Sequence, residues 1–368
     1  MIRQKLKRMI ALLAAALVMS AVSGCGGKPE EKQSGGNSSS ESSQAETQAP
    51  VKVTLPPKTT VSGAEADSDT SDGTEPEQPL YGEDIPYTPA LWKATSPDGK
   101  EMYMMGSMHM LNDTCYPLPE EIMNAYNSAD VLAVECDITA LTASAAQLKY
   151  SGILKYPQGE TVKDHLSAET WEKLSGYLEL FDVDVVDAEK NRAWTLYSSV
   201  QNLALEDTTL TADKGLDRFL LTKARGEGKQ IYEIESVDEQ LEMLAGFSDN
   251  IYELLLSEYS VENAEKLKED NKALFKAWKT GDLEWVEKES EGEFEDIPDD
   301  LRAEITDFMD TMYYDRNAHM VKDAKELMNS DKRTFMVVGL AHYAGKRGII
   351  ALLENDGYEV ERIEIKAE

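Results

Sequence analysis

The sequence predicts an α/β fold, a central mixed sheet with two related strand–Gly-x-x-His units and covering helices. Three observations predict it. A four-residue apolar run followed by Gly-x-x-His occurs twice, as Met102-Tyr103-Met104-Met105-Gly106-Ser107-Met108-His109 and as Phe335-Met336-Val337-Val338-Gly339-Leu340-Ala341-His342. Two further strand-like runs end in carboxylates, Val131 to Val134 before Glu135 and Gln230 to Ile234 before Glu235. Between the runs lie segments with apolar residues at helical spacing, the alternation that builds α/β domains. Short apolar runs closed by glycine read as buried strands, and the glycine lets the backbone turn so that a histidine emerges at the strand's C-terminal end. That end is where α/β sheets collect ligands.

The chain opens with Arg3, Lys5, Lys7 and Arg8 ahead of the apolar run Met9 to Val22. This run is too short to span a bilayer and the right length for a secretory signal. Val22-Ser23-Gly24-Cys25 follows and resembles a bacterial lipobox, which implies cleavage before Cys25 and a diacylglycerol thioether on its sulfur. Two acyl chains suffice for stable anchoring. Residues 1–25 are therefore expected to be a lipoprotein signal peptide, and the protein to sit on the extracytoplasmic face of the cell membrane. Residues 26–88 are rich in Ser, Gly, Glu, Pro and Thr and poor in large apolar side chains, the composition of a disordered acidic tether. Such a tether has an r.m.s. reach of about 45 Å. The formal charge of the 368-residue chain is −32, and the basic signal masks part of the acidity of the remainder. That balance argues against nucleic-acid partners and against adhesion to anionic lipid.

Residues 89–368 are expected to form one α/β domain. Leu91 to Thr95 and Glu101 to Met105 flank Ser96-Pro97-Asp98-Gly99-Lys100, so the domain opens with a hairpin. Glu120 to Ser128 spaces Ile122, Met123 and Tyr126 as a helix, and the strand Val131 to Val134 then runs into Glu135, Cys136 and Asp137. Residues 166 to 205 read as helices with aromatic core faces. Lys214 to Arg225 is a helix closed by Gly226-Glu227-Gly228, before the strand that ends at Glu235. Ile251 to Trp278 is mainly helical. Asp282 to Asp300 carries ten acidic residues against one lysine and reads as a solvated lobe or loop. Leu301 to Met328 predicts one long helix bearing Arg316-Asn317. After the second Gly-x-x-His, Gly345 and Gly348 open a short helix, and Tyr358 to Ile365 alternates as a last strand. Cys115 and Cys136 fit no Cys-x-x-Cys spacing and read as two separate thiols rather than a disulfide. His165 and His319 have no motif around them and read as surface histidines.

Gly106-x-x-His109, the strand ending in Glu135, Gly215-Leu216-Asp217, Ile234-Glu235 with Gln240, Arg316-Asn317 and Gly339-x-x-His342-x-x-Gly345 together resemble the TraB/GumN family, which includes the Tiki proteins. The ordered match spans roughly residues 90 to 365. The Tiki branch is described as metal-dependent proteases, and the resemblance implies His109, Glu135 and His342 as the metal and catalytic set. Ser107 stands where the family more often has threonine, which keeps a hydroxyl. No apolar C-terminal stretch of spanning length is present, which leaves Cys25 as the expected anchor.

Apart from the resemblance, two neutral imidazoles and a carboxylate are a suitable set of ligands for a divalent ion of the manganese, cobalt or zinc type. Such an ion makes amide hydrolysis the natural chemistry. Glu135, if not a ligand, or Glu235 could be the general base. Arg316 could hold an oxyanion or a substrate carboxylate, and Asn317 could orient a ligand; as helix-surface residues both would instead bond nearby backbone. The leading expectation is a metal-dependent hydrolase of a peptide or small exported molecule. The alternative is a non-catalytic envelope binding protein using the same cleft.

Overall fold

The computed structural model describes residues 80–140, 143–205, 208–290 and 298–366. The expected signal peptide, Cys25 and the tether as far as residue 79 lie outside the described residues, as does the centre of the acidic run, 291–297.

The fold is α/β, as the sequence predicts. Its strands are β1 (Leu91–Thr95), β2 (Glu101–Ser107), β3 (Val131–Val134), β4 (Gln230–Glu233), β5 (Thr334–Gly339) and β6 (Glu359–Ile363), in the sheet order β4-β3-β5-β2-β1-β6. The hairpin β1–β2 is antiparallel, and β6 pairs antiparallel with β1. β4, β3, β5 and β2 are parallel neighbours, so their carboxyl ends form one rim. β5 lies directly beside β2, with Gly106 opposite Val338 and Ser107 opposite Gly339. The two Gly-x-x-His units are thus adjacent and offset by one residue. Gly106 has a packing reason to be glycine: a Cβ there would collide with Leu340.

Helices α1 (Glu120–Ser128) and α2 (Ala143–Leu154) flank β3, and α3 (Ala168–Leu180) and α4 (Ala193–Leu203) follow. α5 (Leu216–Glu227) ends in Gly228 at φ 68°, a left-handed cap that glycine adopts without strain. After β4 come α6 (Val237–Gly246), α7 (Asp249–Leu256), α8 (Ala264–Thr280) and α9 (Leu283–Ser290). The expected long helix is α10 (Asp299–Met309) and α11 (Asp315–Asn329) joined by a π-helical turn, Asp310–Tyr314. α12 (Ile349–Asn355) precedes β6. No helix among the described residues is long and apolar enough to cross a membrane.

Two hydrophobic clusters hold the domain. One packs both faces of the sheet, with Leu91, Met104, Leu132, Phe335 and Val337 fully buried among others. The second is helical, built on Leu174, Tyr177, Trp194, Tyr252, Ile305 and Phe308. The long helix serves both. Upstream of and within the π-turn it buries Ile305, Phe308, Met309, Met312 and Tyr313 in the helical cluster; downstream it buries Met320, Val321, Ala324 and Leu327 against the sheet.

Two boundaries differ from expectation. Residues 80–88, assigned to the tether, pack on the domain: the Tyr81 ring lies 5.5 Å from Phe275, Tyr87 Oη donates to the Cys115 carbonyl at 2.8 Å, and buried Lys279 donates to the Gly82 carbonyl at 2.7 Å. Two tyrosines and Ile85 supply the apolar surface that the rest of the tether's composition lacks. The acidic run begins as α9, because Leu283, Trp285 and buried Val286 give it one apolar side despite its carboxylates. Cys115 and Cys136 are both free and buried.

Candidate functional site

Each of the four parallel strands delivers one side chain just past its carboxyl end: Glu235 after β4, Glu135 after β3, His342 after β5 and His109 after β2. The hydrogen-bond ladder continues beyond β3 and β4, with Glu235 N–H donating to the Glu135 carbonyl at 2.7 Å. This keeps the two carboxylates side by side.

Helices coming down on the rim orient these groups. Gly215 abuts the His109 backbone so closely that a Cβ would strike the His109 carbonyl, and Leu216 N–H donates to the Met108 carbonyl at 3.1 Å. α5 therefore starts against the strand end and sets Asp217 beside the first histidine, with Oδ2 2.7 Å from His109 Nδ1. α11 does the same for the second histidine: Asn317 Oδ1 lies 2.6 Å from His342 Nδ1, and Asn317 Nδ2 donates to the Arg347 carbonyl at 2.9 Å. With the amide fixed by its own donor bond, His342 Nδ1 carries the proton and Nε2 carries the lone pair. That Nε2 is buried, makes no hydrogen bond within the protein, and lies 3.8 Å from Glu135 Oε1. Burial lowers the His342 pKa first and nearby Arg316 lowers it further, to about 4, so the ring is neutral at pH 7.

Arg316 ties the carboxylates together. Its Nε donates to Glu235 at 2.7 Å, its Nη2 to Glu235 at 2.8 Å and to Glu135 at 2.9 Å, and its Nη1 to the Met312 carbonyl at 3.0 Å. Gln240 Nε2 donates to Glu235 at 2.9 Å and to Glu135 at 3.3 Å, while Gly339 N–H donates to Glu135 Oε1 at 2.6 Å. Burial alone would raise the Glu135 pKa, but Arg316, the two histidines and the Gly339 N–H bring it down to about 2. Glu135 is a fixed, ionised carboxylate.

Glu135, Glu235, Arg316 and Gln240 thus form one bonded group and Asn317 and His342 a second, the two meeting where His342 Nε2 lies 3.8 Å from Glu135, and His109 is close enough to act electrostatically on Glu135 and His342. Arg316 and Asn317 are buried at the rim rather than on a helix surface. Arg316 faces two carboxylates of the chain itself, which engage the donors that the sequence reading offered to an oxyanion or a substrate carboxylate. Sequence reasoning gave no role to Asp217 or Gln240; the cue available was an acidic residue in the first turn of α5 and a glutamine on the buried stripe of α6 beside Leu241 and Leu244. His165 is not a plain surface histidine. It bridges Asp249 at 2.8 Å and Glu160 at 2.7 Å and stacks on Tyr156, far in sequence from the rim residues. Among the described residues, no three His, Cys, Asp or Glu side chains are gathered as a ready-made ion site.

Fold and rim define a class: α/β proteins that gather imidazoles and carboxylates at the carboxyl ends of adjacent parallel strands. The chain belongs to the TraB/PrgY/gumN family, whose profile matches residues 90–362. It is similar to the metalloprotease TIKI1 of Homo sapiens, 25% identical over 304 residues, covering 70% of this chain and 59% of that protein. It is also similar to the metalloprotease TIKI2 of Danio rerio, 24% identical over 305 residues, 70% of this chain and 58% of that one. The uncharacterized protein YbaP of Escherichia coli is 25% identical over 169 residues, 46% of this chain and 61% of YbaP. The chain spans about three fifths of the length of these relatives. No solved structure matches.

Proposed function

We propose that the protein is a metal-dependent, peptidase-like hydrolase of the cell envelope, anchored through Cys25 on the extracytoplasmic face and acting on a peptide or small exported molecule. The observation that carries this reading is the pair of strand-end histidines, each tied at Nδ1 by an acceptor from a neighbouring helix, with His342 Nε2 buried, neutral and unpartnered 3.8 Å from Glu135. Imidazoles held in this way are poised to present Nε2 to a metal. Two buried carboxylates, Glu135 and Asp217, and the half-buried Glu235 stand against one buried guanidinium, so the rim has an excess of negative charge that a cation would offset. A divalent ion of the manganese, cobalt or zinc type would be held by His109, His342 and Glu135, which are not gathered as a ready-made site without it. When bound, such an ion acidifies a water and polarises a carbonyl. The similarity to TIKI1 and TIKI2, both named metalloproteases, supports the same reaction class.

The chain's own groups divide the remaining work. Asn317 fixes the His342 tautomer, and Asp217 fixes the His109 ring. Arg316 keeps Glu135 ionised. Both base candidates have both oxygens hydrogen-bonded, and what favours Glu135 is that its Oε1, which accepts from the Gly339 N–H, lies 3.8 Å from His342 Nε2, whereas the Glu235 oxygens are held by Arg316 and Gln240. Binding without turnover is the second reading, favoured by Arg316 already neutralising part of the carboxylate pair.

Thermal unfolding of the mature chain under Mn²⁺, Co²⁺ and Zn²⁺ tests the proposal, because an ion that binds only the folded state raises the melting temperature with concentration. His109→Ala and His342→Ala should each remove the increase, and the double variant should be little worse than either. Glu135→Gln that keeps the metal response but loses cleavage of a fluorogenic peptide mixture identifies the base; loss of both identifies a ligand. A metal response untouched by either histidine substitution refutes the shared site, and a metal response without cleavage leaves the binding reading.

A further inference from the structure

Beside His342 opens a cleft of about 220 Å³, lined in part by Tyr313, Tyr314, Asn317, Ala341, Ala344 and Arg347. Tyr313 belongs both to the cleft wall and to the surroundings of the histidine, its ring centroid 5.4 Å from the imidazole and tilted by 36°. The residue is only 3% exposed, and its hydroxyl makes no hydrogen bond within the protein. A buried phenol normally finds a partner. Some other tyrosines of this chain do, Tyr252 Oη donating to the Leu244 carbonyl at 2.5 Å and Tyr126 Oη to Glu227 at 2.8 Å, while Tyr343 Oη, in the turn that carries His342, is buried without a hydrogen bond as Tyr313 is. A hydroxyl kept from water without a partner is a standing cost to the fold. Here that cost falls next to a second buried, unpartnered atom, His342 Nε2.

We propose that Tyr313 is a catalytic hydrogen-bond donor, its hydroxyl binding the carbonyl oxygen of an acyl or peptide substrate seated in the cleft beside His342. The proposal rests on the hydrolase reading and names a residue which that reading does not contain. Donors fixed where negative charge develops, in a site shielded from water, are among the strongest contributors to rate. Tyr313 is fixed, shielded from water and part of the cleft wall. Its ring is locked by packing in the helical cluster, and no internal bond has to break before the hydroxyl can donate. Burial pushes its pKa well above 10, so the proton stays on the phenol throughout the useful pH range. It also lies in the π-helical turn, a feature that recurs at functional sites.

Tyr313→Phe in the full mature chain tests the proposal, since it keeps the ring and removes only the hydroxyl. Without added metal the variant should melt at or above the parent's temperature, and its Mn²⁺-dependent stabilisation should match the parent's. With Mn²⁺ and a fluorogenic peptide mixture, kcat should fall about 100-fold or more, while KM changes by less than about threefold. Binding of N-acetyl-dialanine amide, which needs no turnover, should weaken about tenfold. A melting temperature several degrees below the parent's shows that the hydroxyl has an internal structural partner and overturns the proposal, as does undiminished kcat. If the parent binds the amide without cleaving any peptide and the substitution weakens binding, only the hydrolase reading falls. If the parent neither binds nor cleaves, both fall.

Discussion

Replacing Arg316 with methionine should cost roughly 3–5 kcal/mol of stability near neutral pH, and the deficit should shrink in mild acid. Methionine fills most of the arginine's volume, so the effect is chiefly electrostatic. The guanidinium lies within 2.9 Å of both carboxylates, and the three side chains are 9%, 5% and 9% exposed for Arg316, Glu135 and Glu235. Its removal leaves two ionised carboxyls side by side away from water. A second route gives a similar figure. Glu135 is held at about 2 against an ordinary 4.5, a difference equivalent to about 3 kcal/mol. The sign follows from a depressed carboxylate: in the parent its contribution is complete above about pH 4.5 and is lost as pH falls toward 2. In the variant, burial is no longer opposed by Arg316, so Glu135 takes up a proton at milder pH and relieves the repulsion. Urea unfolding of parent and Arg316→Met at pH 7.5, 6 and 5 measures this. A variant within 1 kcal/mol of the parent at pH 7.5, or a deficit unchanged at pH 5, would refute the buried-clamp account.

His165 gives a pH prediction of opposite sign. Burial lowers its pKa, but Asp249 and Glu160 together raise it above 6.5, so its contribution is present below that value and fades as pH rises through the raised one. His165→Gln should therefore melt clearly below the parent at pH 6 and close to it at pH 9; equal differences at both would remove the charge argument. Cys25→Ser should move the protein from the membrane fraction to the soluble one, and an unchanged distribution in fractionated cells would dismiss the lipid anchor.

The strands were legible because their signal is local. Four apolar residues and a glycine announce β2 and β5, and a carboxylate directly after an apolar run announces the rim positions of Glu135 and Glu235. The adjacency of β2 and β5 was not legible, since the 226 residues from 108 to 333 and most of the helices intervene. Arg316 and Asn317 show the same limit. On a helix wheel they are two polar residues, and only packing against the rim makes one a clamp and the other a tautomer lock. Tyr313 reads as core because an aromatic at helical spacing usually is core, and nothing in the sequence tells which aromatic lacks a partner for its hydroxyl. α9 was missed because ten carboxylates in the run outweighed three apolar residues that lie on one side of a helix.

The π-helical turn makes the site depend on a residue count. An α-helix advances about 100° per residue, and the wider turn at Asp310–Tyr314 is what lets one helix bury its upstream stripe among helices and its downstream stripe against the sheet. Deleting a single residue there would restore regular winding and swing Arg316 and Asn317 off the rim together, taking from His342 the acceptor that fixes its ring. Insertions in surface loops would leave that alignment untouched.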